Sequence, residues 1–144
     1  MKTIKVLQGL PASGKTTWAR EWVNEDPKNR IRVNRDDIRK MLGPYWIPQR
    51  EDLVTKIENG IILKAIDMGF AVVVDATNFR GTQRFYDLLC GPWDKDVVDI
   101  EVIDHFLEVP LKTCIQRDQQ REGDAHVGKE PIMRMYNKYL KDEG

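Results

Sequence analysis

Gly9-Leu10-Pro11-Ala12-Ser13-Gly14-Lys15-Thr16 matches G-x-x-x-x-G-K-[ST] at every fixed position. An apolar run, Ile4-Lys5-Val6-Leu7, leads into it, and an amphipathic segment, Thr17-Trp18-Ala19-Arg20-Glu21-Trp22-Val23, leads out. That strand–loop–helix setting separates a phosphate-binding loop from a chance match. Polyphosphate carries more negative charge than a few side chains can solvate, so backbone N–H groups must share the work. Gly9 and Gly14 let consecutive N–H groups turn inward, and the helix beginning near Lys15 adds its positive end. Pro11, Ala12, Ser13 and Thr17 complete the candidate nucleotide contacts. The Lys15 ammonium suits the β- and γ-phosphates, and the Thr16 hydroxyl suits Mg²⁺. The bland alternative, two turn glycines, leaves the lysine and the hydroxyl unexplained. Nucleotide binding, with ATP and Mg²⁺, is the expectation.

Working outward, residues 4–7, 31–33, 71–74 and 100–106 read as strands. Ala71-Val72-Val73-Val74 is continuously apolar, as expected of a strand covered on both faces. Helical patterns lie between: 15–24, 36–42, a long segment from 49 to 69, 82–89, 111–121 and 131–140. The long segment carries Leu53, Ile57, Ile61 and Ala65 at four-residue spacing. Strands alternating with helices indicate an α/β class with a parallel sheet and crossover helices. Neither repeat nor linker divides the 144 residues, so one domain over 1–144 is expected.

Hydrophobic content of 41% and charged content of 32% fit a soluble globular chain. No apolar run approaches the ~20 residues of a bilayer span, and the first strand leaves no room for a signal peptide. Cys90 and Cys114 form neither a metal-type pair nor a disulfide framework, so free thiols in a reducing cytoplasm are expected. Net charge is zero but unevenly spread. Residues 1–50 hold 11 Lys/Arg against 5 Asp/Glu, residues 51–104 hold 5 against 11, and residues 105–144 hold 7 against 7. The basic excess coincides with the phosphate loop and the 34–39 segment. It points to an anionic partner there, with a solvated surface as the alternative.

Asn34-Arg35-Asp36-Asp37-Ile38-Arg39 follows the second strand, on the sheet edge where ligands bind in open α/β folds. Asp36 and Arg39, three apart, share a helix face. That pair suits phosphoryl transfer, with Asp36 accepting a hydroxyl proton and Arg39 holding an acceptor phosphate. Helix capping is the competing explanation. Asp75-Ala76-Thr77-Asn78 closes the third strand; Asp75 there serves a metal site, orients an arginine, or caps a turn. Arg117 and Arg121 are four apart and fit a closing lid over about 117–130, or a surface salt-bridge face with Asp118 and Glu122. His126 reads as an exposed loop residue. Tyr45-Trp46-Ile47 is an aromatic loop that either stacks on bases or packs on the domain. Asp94-Lys95-Asp96 has no apolar strand before it and is set aside.

These motifs, in this order, resemble the kinase domain of the bacteriophage polynucleotide 5′-kinase/3′-phosphatase family over nearly the whole sequence. The matching elements are Gly14-Lys15 with Thr16-Thr17-Trp18-Ala19-Arg20-Glu21, Asn34-Arg35-Asp36-Asp37 with Arg39, and Val109-Pro110. Arg117, Arg121, Pro131-Ile132 and Arg134 with Met135-Tyr136 complete the pattern. The resemblance implies an adenylate-kinase-like P-loop fold with a four-stranded parallel sheet. It implies transfer of the ATP γ-phosphate to a 5′-hydroxyl of DNA or RNA, within nucleic-acid repair in a bacterial or phage-infected cytoplasm. Asp36 would be the general base, Arg39 would bind the 3′-phosphate of the terminal nucleotide, and Arg121 with Arg117 would contact the donor phosphates. Lys15 and Arg121 would stabilise the transferring group, with Asp75 and Asn78 on the acceptor side. Threonine replaces the family's serine at 16. Ala76 stands where the family has its acid, Asp75 lies one position earlier, and the segment between Arg121 and Pro131 is longer. No phosphatase domain is found, so end-healing by this chain alone is not expected, and oligomeric state is open. A small-molecule kinase acting on a sugar, nucleoside or antibiotic, and a nucleotide-binding ATPase without an acceptor, are the rival readings.

Overall fold

Val72 and Val74 face one apolar cluster and Val73 faces another, and all three are fully buried. Only a strand covered on both sides needs that pattern. In the computed structural model, which describes residues 2–44, 46–90 and 98–141, this strand is β3 (Ala71–Val74). It lies inside a sheet of order β2-β3-β1-β4, with β1 (Lys2–Leu7), β2 (Arg30–Val33) and β4 (Val98–Ile103). All three pairings are parallel. Ile4 sits opposite Val72, and Lys5 sits opposite Glu101, which it meets at 2.5 Å. Four parallel strands with flanking helices, the P-loop kinase arrangement expected from the motif order, are what the chain forms.

Right-handed crossovers decide where the helices go. From β1 the chain moves one way across the sheet through α1 (Lys15–Glu25), which packs Ala19 and Trp22 against Leu7, Val73 and Phe106. It returns through α2 (Arg35–Leu42) and α3 (Glu51–Asp67), then reaches β4 through α4 (Gln83–Cys90). Reversing the direction of travel puts Ile38, Val54, Ile62, Phe85 and Leu89 on the opposite face. Next come α5 (Leu111–Gln119) and α6 (Lys129–Met135), joined by a third cluster of Leu10, Cys114 and Ile132. A π-helical turn, Tyr136–Leu140, extends α6. Among the described residues no helix is long and apolar enough to cross a membrane. Tyr45, the Asp94–Asp96 motif and the Cys90 side chain lie outside the described residues.

Three local expectations need correcting. β4 stops at Ile103, and Phe106 sits in a 3₁₀ turn, His105–Glu108, buried beneath the phosphate loop rather than in a strand. On α3 the sheet-facing stripe is Val54, Glu58, Ile62, Ala65 and Ile66, while Leu53 and Ile61 are 47% and 36% exposed. A strict four-residue spacing drifts about 40° per step around a helix, and the charge of Glu58 hid the true stripe. α5 ends at Gln119 through tight turns, Gln120 N–H to Arg117 O and Arg121 N–H to Asp118 O, which leaves Arg121 just past the helix.

Candidate active site

The phosphate loop is held in shape by packing as well as by backbone freedom. A Cβ on Gly9 would stand 2.7 Å from the Phe106 Cβ and 2.8 Å from the Ser13 hydroxyl, so nothing larger than hydrogen fits. Gly14 has φ 105°, and Ala12, at φ 64°, also takes the left-handed region that side chains disfavour. Pro11 is half-buried on the outer turn, whereas Ala12 and Ser13 are buried. Lys15 folds back into its own loop: Nζ donates to the carbonyls of Gly9 at 2.9 Å and Leu10 at 2.5 Å, and lies 3.3 Å from Ser13 Oγ. Burial lowers its pKa to about 8, against the opposing pull of Asp75. A cation confined among carbonyls is poised to exchange them for phosphate oxygens.

Thr16, at the start of α1, donates its hydroxyl to Asp75 Oδ2 at 2.8 Å. Asp75 is 1% exposed and also receives Arg32 Nε at 2.8 Å. Arg32 reaches Asp37 at 2.7 Å with its other end. Against the cost of burial, those two carboxylates hold the Arg32 guanidinium above its ordinary pKa. Asp75 thus joins the loop hydroxyl to β2, despite its shift of one position relative to the phage family. Asn34 caps α2 by accepting from the Asp37 N–H at 2.9 Å, and its amide donates to Asp75 O at 2.8 Å. Asn78 takes φ 49° and spends its amide on the carbonyls of Leu7, Val74 and Ala76. It pins the carboxyl ends of β1 and β3 together.

Asp36 and Arg39 meet at 2.6 Å, as the i,i+3 spacing requires. Arg39 also grips Glu51, Nη2 to Oε1 at 2.6 Å and Nε to Oε2 at 3.0 Å, and lies 5.4 Å from the Trp46 ring centre. The hydrogen bonds to Glu51, outweighing burial, lift the Arg39 pKa, and the same contact holds the Glu51 carboxyl below its usual value. Glu51 is a site neighbour that sequence reading missed, being 12 residues away on another helix. Trp46 is 56% exposed, so its ring does not pack into the body, whereas Ile47 is half-buried.

Arg117 and Arg121 both reach the mouth of the phosphate loop. With Ala12, Gly14, Thr17 and Trp18 they line a cleft of about 550 Å³. Arg117 Nη1 lies 3.4 Å from Ala12 O, and Arg121 Nη1 lies 3.4 Å from Ala125 O. The neighbouring Asp118 is no surface partner. It is 1% exposed and accepts the Val127 and Gly128 N–H groups, one on each oxygen, at 2.8 Å. His126, exposed as expected, places Nδ1 2.9 Å from Asp118 O. Asp118 therefore clasps the far end of the 119–128 segment that carries Arg121, a structural role hidden behind the surface-pair reading.

The oxygen donors suit a hard cation. Thr16 and Asp75 offer a hydroxyl and a carboxylate side by side next to the phosphate loop, and Mg²⁺ commonly takes one or two such protein groups plus phosphates and waters. Among the described residues no group of three or more His, Cys, Asp or Glu is placed to hold a metal ion.

A family model described as AAA domain matches residues 4–140. The L-seryl-tRNA(Sec) kinase of Methanococcus maripaludis is 28% identical over 137 residues, covering 93% of this chain and 51% of that protein. A protein of Autographa californica nuclear polyhedrosis virus, named as a candidate bifunctional polynucleotide kinase/RNA ligase, is 29% identical and covers 97% of this chain and 21% of its own. The chain thus spans about half the length of the first relative and a fifth of the second. A Pnkp1/Rnl/Hen1 RNA repair complex contains a chain that superposes with a TM-score of 0.76 at 25% identity, covering 98% of this chain and 46% of that one. A second structure of a Pnkp1/Rnl/Hen1 complex gives 0.64 at 27% identity, over 85% and 40%.

Proposed function

The chain belongs to this AAA-domain family, as a P-loop kinase domain related to those of polynucleotide kinases, and from that premise we propose that it transfers the γ-phosphate of ATP to the 5′-hydroxyl of DNA or RNA. The Asp36–Arg39 pair, 2.6 Å apart on the sheet edge beside the phosphate loop, carries the reading. A base next to a phosphate-binding cation is what a hydroxyl on a nucleotide needs and what a plain ATPase does not.

In this mechanism the loop N–H groups and Lys15 bind the β- and γ-phosphates. Asp36 accepts the proton of the 5′-hydroxyl as its oxygen attacks the γ-phosphorus and ADP leaves. Arg121 and Arg117 close from the far side and stabilise charge on the transferring group. Arg39 holds the 3′-phosphate of the terminal nucleotide, exchanging Glu51 for it. Thr16, with Asp75 behind it, would hold Mg²⁺, which when bound would supply charge neutralisation for the phosphates. Asn78 shapes the acceptor edge through the two strand ends that it joins. The substrate ends are those left by nucleic-acid cleavage in the cytoplasm.

Single-turnover labelling with γ-labelled ATP tests the base. Asp36→Ala should lose about 10²–10⁴-fold in the chemical step while still binding ATP. Robust labelling by Asp36→Ala removes it from that role. The seryl-tRNA relative favours a second reading, in which the acceptor hydroxyl is carried by a charged tRNA rather than by a cleaved end. Comparing a serylated tRNA with a 5′-hydroxyl oligonucleotide separates the two.

A further inference from the structure

Between the phosphate loop and the first turn of α2 lies the carboxyl end of β3, and one side chain from β2 spans the gap. Strand alternation puts it there. Val73 packs with Ala19 and Trp22 of α1, so Asp75, two residues on, turns to the same face and meets Thr16. Arg32 stands opposite Val73 in the parallel register of β2 and β3, which places its side chain on that face as well.

The Asp75 side chain is 2% exposed and that of Arg32 is 16% exposed, so the pair is held largely out of water. Compensating a buried acid takes one cation at one contact. Arg32 makes two. Its Nε donates to Asp75 Oδ2 at 2.8 Å, and its Nη1 donates to Asp37 Oδ2 at 2.7 Å. A guanidinium is planar and rigid, so the two acids are fixed relative to each other through it. Asp37 lies in the first turn of α2, next to Asp36. A second connection runs the same way. The Asn34 amide donates to Asp75 O at 2.8 Å, while Asn34 Oδ1 accepts the Asp37 N–H at 2.9 Å. The first turn of α2 is therefore moored twice to Asp75, which also holds the hydroxyl of the phosphate loop. Arg39, the partner of Asp36, rides on the same helix, whereas Arg32 belongs to the sheet.

We propose that Arg32 is a positioning residue for phosphoryl transfer: by bridging Asp75 and Asp37 it fixes the Asp36 carboxylate relative to the phosphate loop. Arg32 acts through those two acids and needs no contact with donor or acceptor. The assignment rests on the reading of Asp36 as the base. In-line attack depends on that placement, and a displacement of about 1 Å can slow a reaction by about 10²-fold.

Three variants separate this role from simple compensation of Asp75. Arg32→Lys keeps a cation for Asp75 but has no fork to reach Asp37. Asp37→Ala keeps the Arg32–Asp75 pair and removes the bridge; the Asp37 side chain is 52% exposed, so circular dichroism and the urea midpoint should stay at wild type. Asp37→Asn still offers Arg32 an oxygen. The first measurement is amide hydrogen exchange without nucleotide. Protection at positions 37 and 38, whose N–H groups bond to Asn34, should fall at least ~3-fold in Arg32→Lys and Asp37→Ala, with the last turn of α2 unchanged. The second is single-turnover labelling of a 5′-hydroxyl oligonucleotide at saturating γ-labelled ATP and Mg²⁺. Both variants should slow at least ~5-fold while ATP affinity stays within about 2-fold of wild type. Asp37→Asn should recover most of the rate, and Arg32→Lys/Asp37→Ala should be no slower than the slower single variant. Wild-type rate in Arg32→Lys or Asp37→Ala, additive losses in the double variant, or unchanged protection at 37 and 38 overturns the proposal. Reduced protection with no labelling by the wild type keeps the mooring of α2 to Asp75 and removes the 5′-hydroxyl kinase, whereas wild-type labelling that both variants retain does the reverse.

Discussion

Held by the Gly9 and Leu10 carbonyls and only 7% exposed, Lys15 carries its charge at a cost that burial sets and that a polyphosphate would cancel. Its pKa near 8 in the free protein lies below the ordinary 10.5 of the unfolded chain. The nucleotide-free fold therefore gains stability as pH rises from about 8 toward 10.5, because the unfolded chain holds that proton more tightly. ATP binding should reverse the shift and take up a proton in the same window. Calorimetry in two buffers of different ionisation enthalpy should find almost no uptake at pH 7 and nearly one proton at pH 9. Equal uptake at both would show that the lysine does not titrate with the ligand. Gly9 makes a second residue-level test. Gly9→Ala forces a Cβ against Phe106 and should cost about 1–3 kcal/mol in urea unfolding; a neutral result would mean that the loop relaxes freely. Lys15, Thr16, Asp36 and Arg39 were legible because loop and helix spacing is local. Glu51 was not: its contact with Arg39 exists only after α2 packs on α3.

Among the elements, the helices were readable wherever apolar period and stop signals agreed, and misread wherever a buried charge interrupted the period. Glu58 shifted the visible face of α3 by one residue, and Asp118 looked like a surface acid on α5. Phe106 continued an apolar run in sequence, yet its burial is beneath the loop and not in β4. Asp118 leads to the next test. Replacing it with alanine strands the Val127 and Gly128 N–H groups, at about 1–3 kcal/mol each. Hydrogen exchange should speed up at those two amides first, with Arg121-dependent catalysis falling while ATP binding falls less. Unchanged protection at 127 and 128 would show that the clasp does not order the proposed lid.

Across the whole molecule, strand order and crossover hand bring three segments to one sheet edge: the phosphate loop after β1, Asp36 after β2 and Asp75 after β3. The motif order made that convergence readable. Charge counted along the chain did not make readable the cleft of about 600 Å³ that Arg35, Arg80, Arg84, Arg134 and Lys138 line. Residues 51–104 carry a net negative charge, yet they supply Arg80 and Arg84 to it, beside Arg134 and Lys138 from a neutral segment. A linear window averages charges that folding sorts onto different faces. On the proposed reading the molecule divides into a donor side, the cleft lined by Arg117 and Arg121, and an acceptor side at Asp36 and Arg39. A panel of acceptors offered to the wild-type protein with γ-labelled ATP and Mg²⁺ tests that division most directly. It contains 5′-hydroxyl DNA and RNA oligonucleotides, a serylated tRNA, free nucleosides, and sugar and aminoglycoside compounds. The expected result is label on the oligonucleotide 5′ ends, lost in Asp36→Ala. Label on a small molecule in preference to every nucleic acid, or ATP consumption indifferent to all of them, would contradict it.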